Sequence, residues 1–144
     1  MVRVRPLDVD DAASIEAVDR DHAARLGRDP VATRGALSFY ARTGHAFVAE
    51  DDGGLRGFAL AQAVWDGTRP TVQLQTLATA EGDAAAREAL LEAVTKSAYD
   101  AAVYDLVARA PEADPRLAEL LDREGWSREP VALLRRTLGS RGAA

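Results

Sequence analysis

The stretch Thr71–Val94, TVQLQTLATAEGDAAAREALLEAV, decides the fold. Its first ten residues read as a strand, Gly82 marks a turn, and the spacing from about Asp83 to Ala98 predicts a helix. A strand that runs straight into a helix points the first backbone N–H groups of that helix at whatever lies in front of the turn. Such a turn has two uses: a cradle for a phosphorylated cofactor, or a helix closed by its own cap. Asp83 is placed to cap, its carboxylate accepting an N–H of the first turn, a contact worth about 1 kcal/mol.

Working outward, HAFVAEDDGGLRGFALAQAVWDGTRP supplies two further strand-like runs, broken at DDGG and DGTRP, so the three runs form an antiparallel meander. Upstream, VRVRPL alternates apolar and charged residues at period two and reads as a strand. Ala12, Ile15, Val18, His22 and Leu26 then recur at spacings of three and four, giving a first helix with one apolar stripe. Gly27 and Pro30 break it, and PVATRGALSFYARTG predicts a second helix with Pro30 in its first turn and Gly44 as its stop. Downstream come a strand VYDLVARA, a helix DPRLAELLDREG closed by Gly125, and a last strand VALLRRTL. The order β α α β β β α β α β, with a right-handed parallel crossover in its second half, predicts an α/β (α+β) fold with a mixed central sheet and helices on both faces. We expect one domain over residues 1–138 and a flexible tail over 139–144.

Composition removes several classes of function. A chain of 144 residues without cysteine has no disulfide, thiol nucleophile or thiolate metal site, and its two isolated histidines do not suggest a metal centre. No apolar run approaches the roughly 20 residues of a membrane span, and MVRVRPLDVDD lacks the apolar stretch of a signal peptide, so a cytoplasmic protein without a membrane partner is expected. A net charge of −5 argues against a nucleic-acid surface. All but one of the 18 basic residues are arginine, Lys96 being the exception, a bias that reads as genomic composition before function.

The element order, the Gly-marked turn before the third helix and LLDREGW at the end of the fourth resemble the GNAT superfamily of acetyl-CoA-dependent N-acetyltransferases, over roughly residues 1–138. The resemblance implies that acetyl-CoA or CoA lies with its pantetheine along the backbone of Gln75 and Leu77, between splayed fourth and fifth strands. It implies a pyrophosphate on the amides of Gly82, Asp83, Ala84, Ala85 and Arg87. The family's loop pattern is Arg or Gln, two residues, Gly, one residue, then Gly or Ala; here Gly82, Ala85 and Arg87 stand at those three positions. Arg87 either blocks the cradle or, turned outward, clamps phosphate. Glu81 and Asp83 add like charge beside it. Leu121 stands where the family often has a tyrosine that protonates the departing thiolate, and Trp126 replaces a phenylalanine as a core aromatic.

Acyl transfer takes a proton from an amine and offers one to a thiolate. Gln73 and Gln75 on the fourth strand cannot act as bases, though they can orient an amine or simply alternate as polar strand residues. Three candidates remain for proton transfer. Asp105 interrupts an apolar strand and is either a base facing the cleft or a residue at the strand's exposed end; Tyr104, on the opposite face, packs or substitutes for the missing acid; His22 lies on the first helix's stripe as a packing histidine or a group active near neutral pH. Trp65 in a hairpin either lines an acceptor pocket or packs on its neighbour strand. Two functions follow: an acyl-CoA-dependent N-acyltransferase acting on a small-molecule or protein amine, or a GNAT-like binding or regulatory module that has lost catalysis. The late strand has the character of an exposed edge, which suggests a homodimer.

Overall fold

The computed structural model describes residues 1–139, so all but the first residue of the expected tail lies outside the described residues. Five strands, β1 (Arg3–Pro6), β2 (Phe47–Asp51), β3 (Gly54–Trp65), β4 (Pro70–Thr79) and β5 (Leu106–Ala108), form one sheet in that spatial order. Four helices accompany them: α1 (Ala12–Leu26), α2 (Arg34–Ala41), α3 (Ala84–Asp100) and α4 (Pro115–Arg123). Neighbours pair antiparallel from β1 to β4, as the meander requires, and α3 carries the chain over to β5, which pairs parallel to β4.

Alternation along the strands divides the core in two. Ala49, Ala59, Ala61, Val72, Leu74 and Leu77 point to one face, where Leu90, Leu91 and Val94 of α3 and Leu117, Leu120 and Leu121 of α4 cover them. Val48, Phe58 and Leu60 point to the other, beneath Ile15 of α1 and Leu37 of α2. Helices therefore lie on both faces, as the sequence predicts. The alanines on the α3 face let that helix approach closely, and Gly57 has no room for a side chain: a Cβ there would sit 2.7 Å from the Ala78 carbonyl and 3.1 Å from Leu90. Full burial of a leucine such as Leu90 contributes about 1.5–3 kcal/mol.

Three predicted elements differ. The last strand is absent: residues 131–138 take no regular structure, and Val131, Leu133, Leu134 and Leu138 are 69–89% exposed. A strand needs a hydrogen-bonded neighbour as well as propensity, and among the described residues none lies beside this segment. The fifth strand is cut to three residues, because a left-handed turn at Ala102 and the lead-in of Tyr104 and Asp105 use up its start. The second helix begins at Arg34, not near Pro30. The buried Asp19 carboxylate accepts the amides of Val31 and Ala32, both at 2.8 Å, and holds that approach out of the helix until Thr33 caps it.

Candidate functional site

β4 and β5 pair at only three positions, Val72–Leu106, Gln73–Val107 and Leu74–Ala108, and the Arg109 amide adds a last bond to the Leu74 carbonyl at 3.1 Å. Beyond that point β4 continues to Thr79 with no strand on its β5 side among the described residues. A β-bulge marks the divergence. Leu60 pairs with Thr76 and Ala61 with Leu74, so Gln75 is the extra residue, left out of the ladder to β3. Gln75 and Leu77, the two expected pantetheine contacts, both lie on this free half of β4.

The chain then turns into α3. Asp83 caps the helix as expected, its carboxylate accepting the Ala86 amide at 3.1 Å. It is also held by Arg56 of β3, whose Nε donates to it at 2.8 Å and whose Nη2 donates to its other oxygen. Burial pushes the Asp83 carboxyl up, but the Arg56 guanidinium and the Ala86 amide outweigh it and hold it below the usual carboxylate range. The charge that would oppose a bound phosphate is thus paired within the protein.

Arg87 points inward. Only 7% exposed, it donates through Nη2 to the Glu81 carbonyl at 2.7 Å, with Thr79 Oγ1 at 3.4 Å and the Ala80 carbonyl at 3.5 Å. Arg25 of α1 grips the Thr79 carbonyl at 2.6 Å from the other side. Of the expected cradle amides, those of Asp83 and Ala84 donate back to Ala80 and Gly82, and that of Arg87 to the Asp83 carbonyl. The amides of Gly82 and Ala85 meet no acceptor among the described residues, and neither residue has a positive φ, so alanine is no strain at position 85. A cavity of about 80 Å³ beside Ala84 and Arg87 reaches α4, with Arg116 and Arg123 on its wall.

The three candidates for proton transfer are not brought together. His22 is buried in α1; Arg28 donates to its Nδ1 at 2.9 Å and Asp114, the cap of α4, lies 3.6 Å from its Nε2. It links α1 to the start of α4. Asp105 precedes β5 at the paired end, away from the divergence, half-exposed and 3.4 Å from Arg69. Tyr104 is exposed and meets Tyr99 of α3 edge to face, with ring centroids 5.8 Å apart. Trp65 is exposed at the end of β3 and pairs with Pro70 across the hairpin. His45 bonds Ser97 at 2.9 Å, and burial lowers its pKa.

Sequence reasoning missed the polar floor on the α2 side. Gln62, Gln73 and Val107 stand in one row across β3, β4 and β5, and Gln75 donates to Gln73 at 3.2 Å. An open depression of about 400 Å³ lies against Gln62, walled by Phe39, Arg42 and Thr43 at the end of α2. Tyr40, the residue after Phe39 in α2, has its phenol pushed up by burial and drawn partly back by the charge of Arg109. Only the two β4 glutamines are legible in the sequence, as polar alternates.

A sheet opened between β4 and β5, with a helix starting where the free strand ends, is the GNAT fold. Solved acetyltransferases share it: a ribosomal-protein-alanine N-acetyltransferase from Brucella melitensis biovar Abortus 2308 superposes with a TM-score of 0.76 at 19% identity, covering 95% of this chain and 99% of that one. A predicted acetyltransferase from Clostridium acetobutylicum, solved with acetyl-CoA, gives 0.70 at 11% identity over 94% and 96%. At the level of sequence, the chain belongs to the family described as a protein of unknown function (DUF1999), whose model matches residues 4–137. TTHA1254 from Thermus thermophilus is 40% identical over 96% of this chain and 99% of that one, with a TM-score of 0.78. Comparison with curated proteins finds no match.

Proposed function

We propose that the protein is an acyl-CoA-dependent N-acyltransferase for a small-molecule or protein amine in the cytoplasm. The observation that carries this is the free half of β4, opened at the Gln75 bulge: an extended ligand can complete the sheet there with backbone hydrogen bonds. In this reading acetyl-CoA lays its pantetheine along Gln75 and Leu77, its pyrophosphate meets the amides of Gly82 and Ala85, and its thioester reaches the α2 side beside Gln73. The amine nitrogen bonds to the acyl carbon and the carbon–sulfur bond breaks. The amine proton passes to water, and the sulfur leaves as thiolate and is protonated to the thiol. Gln73 and Gln75 orient the amine and take no proton. Pairing of the exposed segment 131–138 between two copies, giving a homodimer, belongs to the same proposal; a monomer by sedimentation at high micromolar concentration would remove it.

A second reading, a binding module without catalysis, is favoured by one observation. Arg87 and Asp83 are both engaged internally, and Leu121 is buried in the core with no proton to give. Isothermal titration with acetyl-CoA and CoA at low and physiological salt separates the two. Micromolar, salt-sensitive affinity is the expected result for the transferase. No heat at millimolar ligand would leave the binding module standing.

A further inference from the structure

Two arginines toward the α2 face have no carboxylate partner among the described residues. Acidic residues outnumber basic ones 23 to 18, and nine arginines pair with a carboxylate. Seven described arginines pair with none; of these, Arg42 lines the open depression, and Arg109 leaves β5 two residues after Val107, on the same face of the sheet by alternation. Arg42 uses its Nε on the Ser38 carbonyl, at 3.2 Å, which leaves its two terminal nitrogens unengaged there. Arg109 follows β5 directly, its amide donating to the Leu74 carbonyl and its charge acting on Tyr40. Asp105, the carboxylate that precedes β5, is held by Arg69. The floor between the two arginines is neutral and made of side-chain amides, Gln62, Gln73 and Gln75, which both donate and accept.

We propose that the acceptor amine carries a carboxylate. Arg42 and Arg109 bind the carboxylate, and the three glutamines hold the neighbouring amine toward the opening between β4 and β5. Guanidinium is suited to this because its planar fork matches a carboxylate's two oxygens. A polycationic acceptor would instead meet two like charges and no counter-charge. This inference rests on the acyltransferase reading for the amine's fate, but the preference for an anion is a property of the groove itself.

The test uses ¹H–¹⁵N correlation spectra of the full chain saturated with CoA, and of the chain alone. It is titrated with glycylglycine and longer peptides bearing a free C-terminal carboxylate, with their C-terminal amides, and with spermidine. Carboxylate peptides should perturb amides of residues 40–43, 62–63, 73–75 and 107–109. Neutralising both arginines together, Arg42→Gln with Arg109→Gln, should weaken that binding by at least about tenfold. Amidated peptides or spermidine binding as tightly as the free carboxylates, an unchanged affinity in the double variant, or no perturbation by any carboxylate peptide would each overturn the proposal. Titration of CoA is read separately. CoA binding without carboxylate preference removes only this inference; carboxylate preference without CoA binding keeps it and removes acyl transfer.

Discussion

Around the turn that leads from β4 into α3, three arginines are engaged by the protein itself: Arg87 on the Glu81 carbonyl, Arg25 of α1 on the Thr79 carbonyl, Arg56 on the Asp83 carboxylate. On the α2 face, Arg42 and Arg109 have no carboxylate partner among the described residues, and the glutamines between them stay partly exposed. The first arrangement fixes a backbone shape; the second leaves charge available to a ligand. The Arg87 guanidinium binds the loop carbonyls of Glu81 and Ala80, so the residue that sequence reads as an obstruction or an outward phosphate clamp instead braces the turn from within. The contrast teaches that a positive residue next to a phosphate site is informative only once its partners are known.

The sharpest break of this comparison is Arg87→Met, which keeps the stem's packing and removes the donors. If Arg87 supports the turn, the variant loses about 1–3 kcal/mol of stability by leaving the Glu81 carbonyl without its partner. Denaturant unfolding measures this, and CoA affinity should fall with it because the turn loosens. Full stability with weakened, less salt-dependent CoA binding would instead make Arg87 a direct phosphate ligand.

Asp83 comes next in size. Asp83→Ala removes both the cap and the Arg56 pairing and should cost roughly 1–2 kcal/mol. Asp83→Asn keeps an acceptor for the Ala86 amide and should cost less. The pH dependence has a fixed sign. The folded carboxyl lies below its ordinary value of 3.8, so its stabilisation is present above that pH and is lost as pH falls through the lower folded value. The stability gap between wild type and Asp83→Asn should therefore close in acid, and a gap that widens there would contradict the assignment. Freed from Asp83, Arg56 becomes available to phosphate, so Asp83→Asn should also bind CoA more tightly.

These two residues show how far the sequence can be read. The cap is local, three residues from its amide, and its spacing announces it. Its partner Arg56 lies 27 residues away on a strand whose register is not written in any local pattern. The same distinction explains the start of α2. Pro30 followed by a helical pattern suggests an early start, and only the carboxylate of Asp19, 12 residues from Val31, shows why the chain stays extended to Thr33. Residues 131–138 have strand-forming side chains, but propensity does not supply a neighbouring edge, and the segment remains exposed. On the α2 face, Gln73 and Gln75 are visible as alternates of β4. Arg42 and Arg109 are two among many arginines in the sequence, and only the sheet order and the α2 packing bring them to one face.

The smallest expected effect completes the contrast. Arg42→Gln and Arg109→Gln, singly or together, remove exposed side chains that hold no carboxylate, so unfolding free energy should stay within about 0.5 kcal/mol of wild type. Taking away one positive charge at each site also relieves their mutual repulsion, and a slight gain in melting temperature at low salt that disappears at high salt would be its signature. A loss comparable to that of Arg87→Met would mean that these guanidinium groups, like those around the turn into α3, hold the chain's own backbone. The groove would then have no charge left for a ligand, and the difference between the two regions would be one of degree.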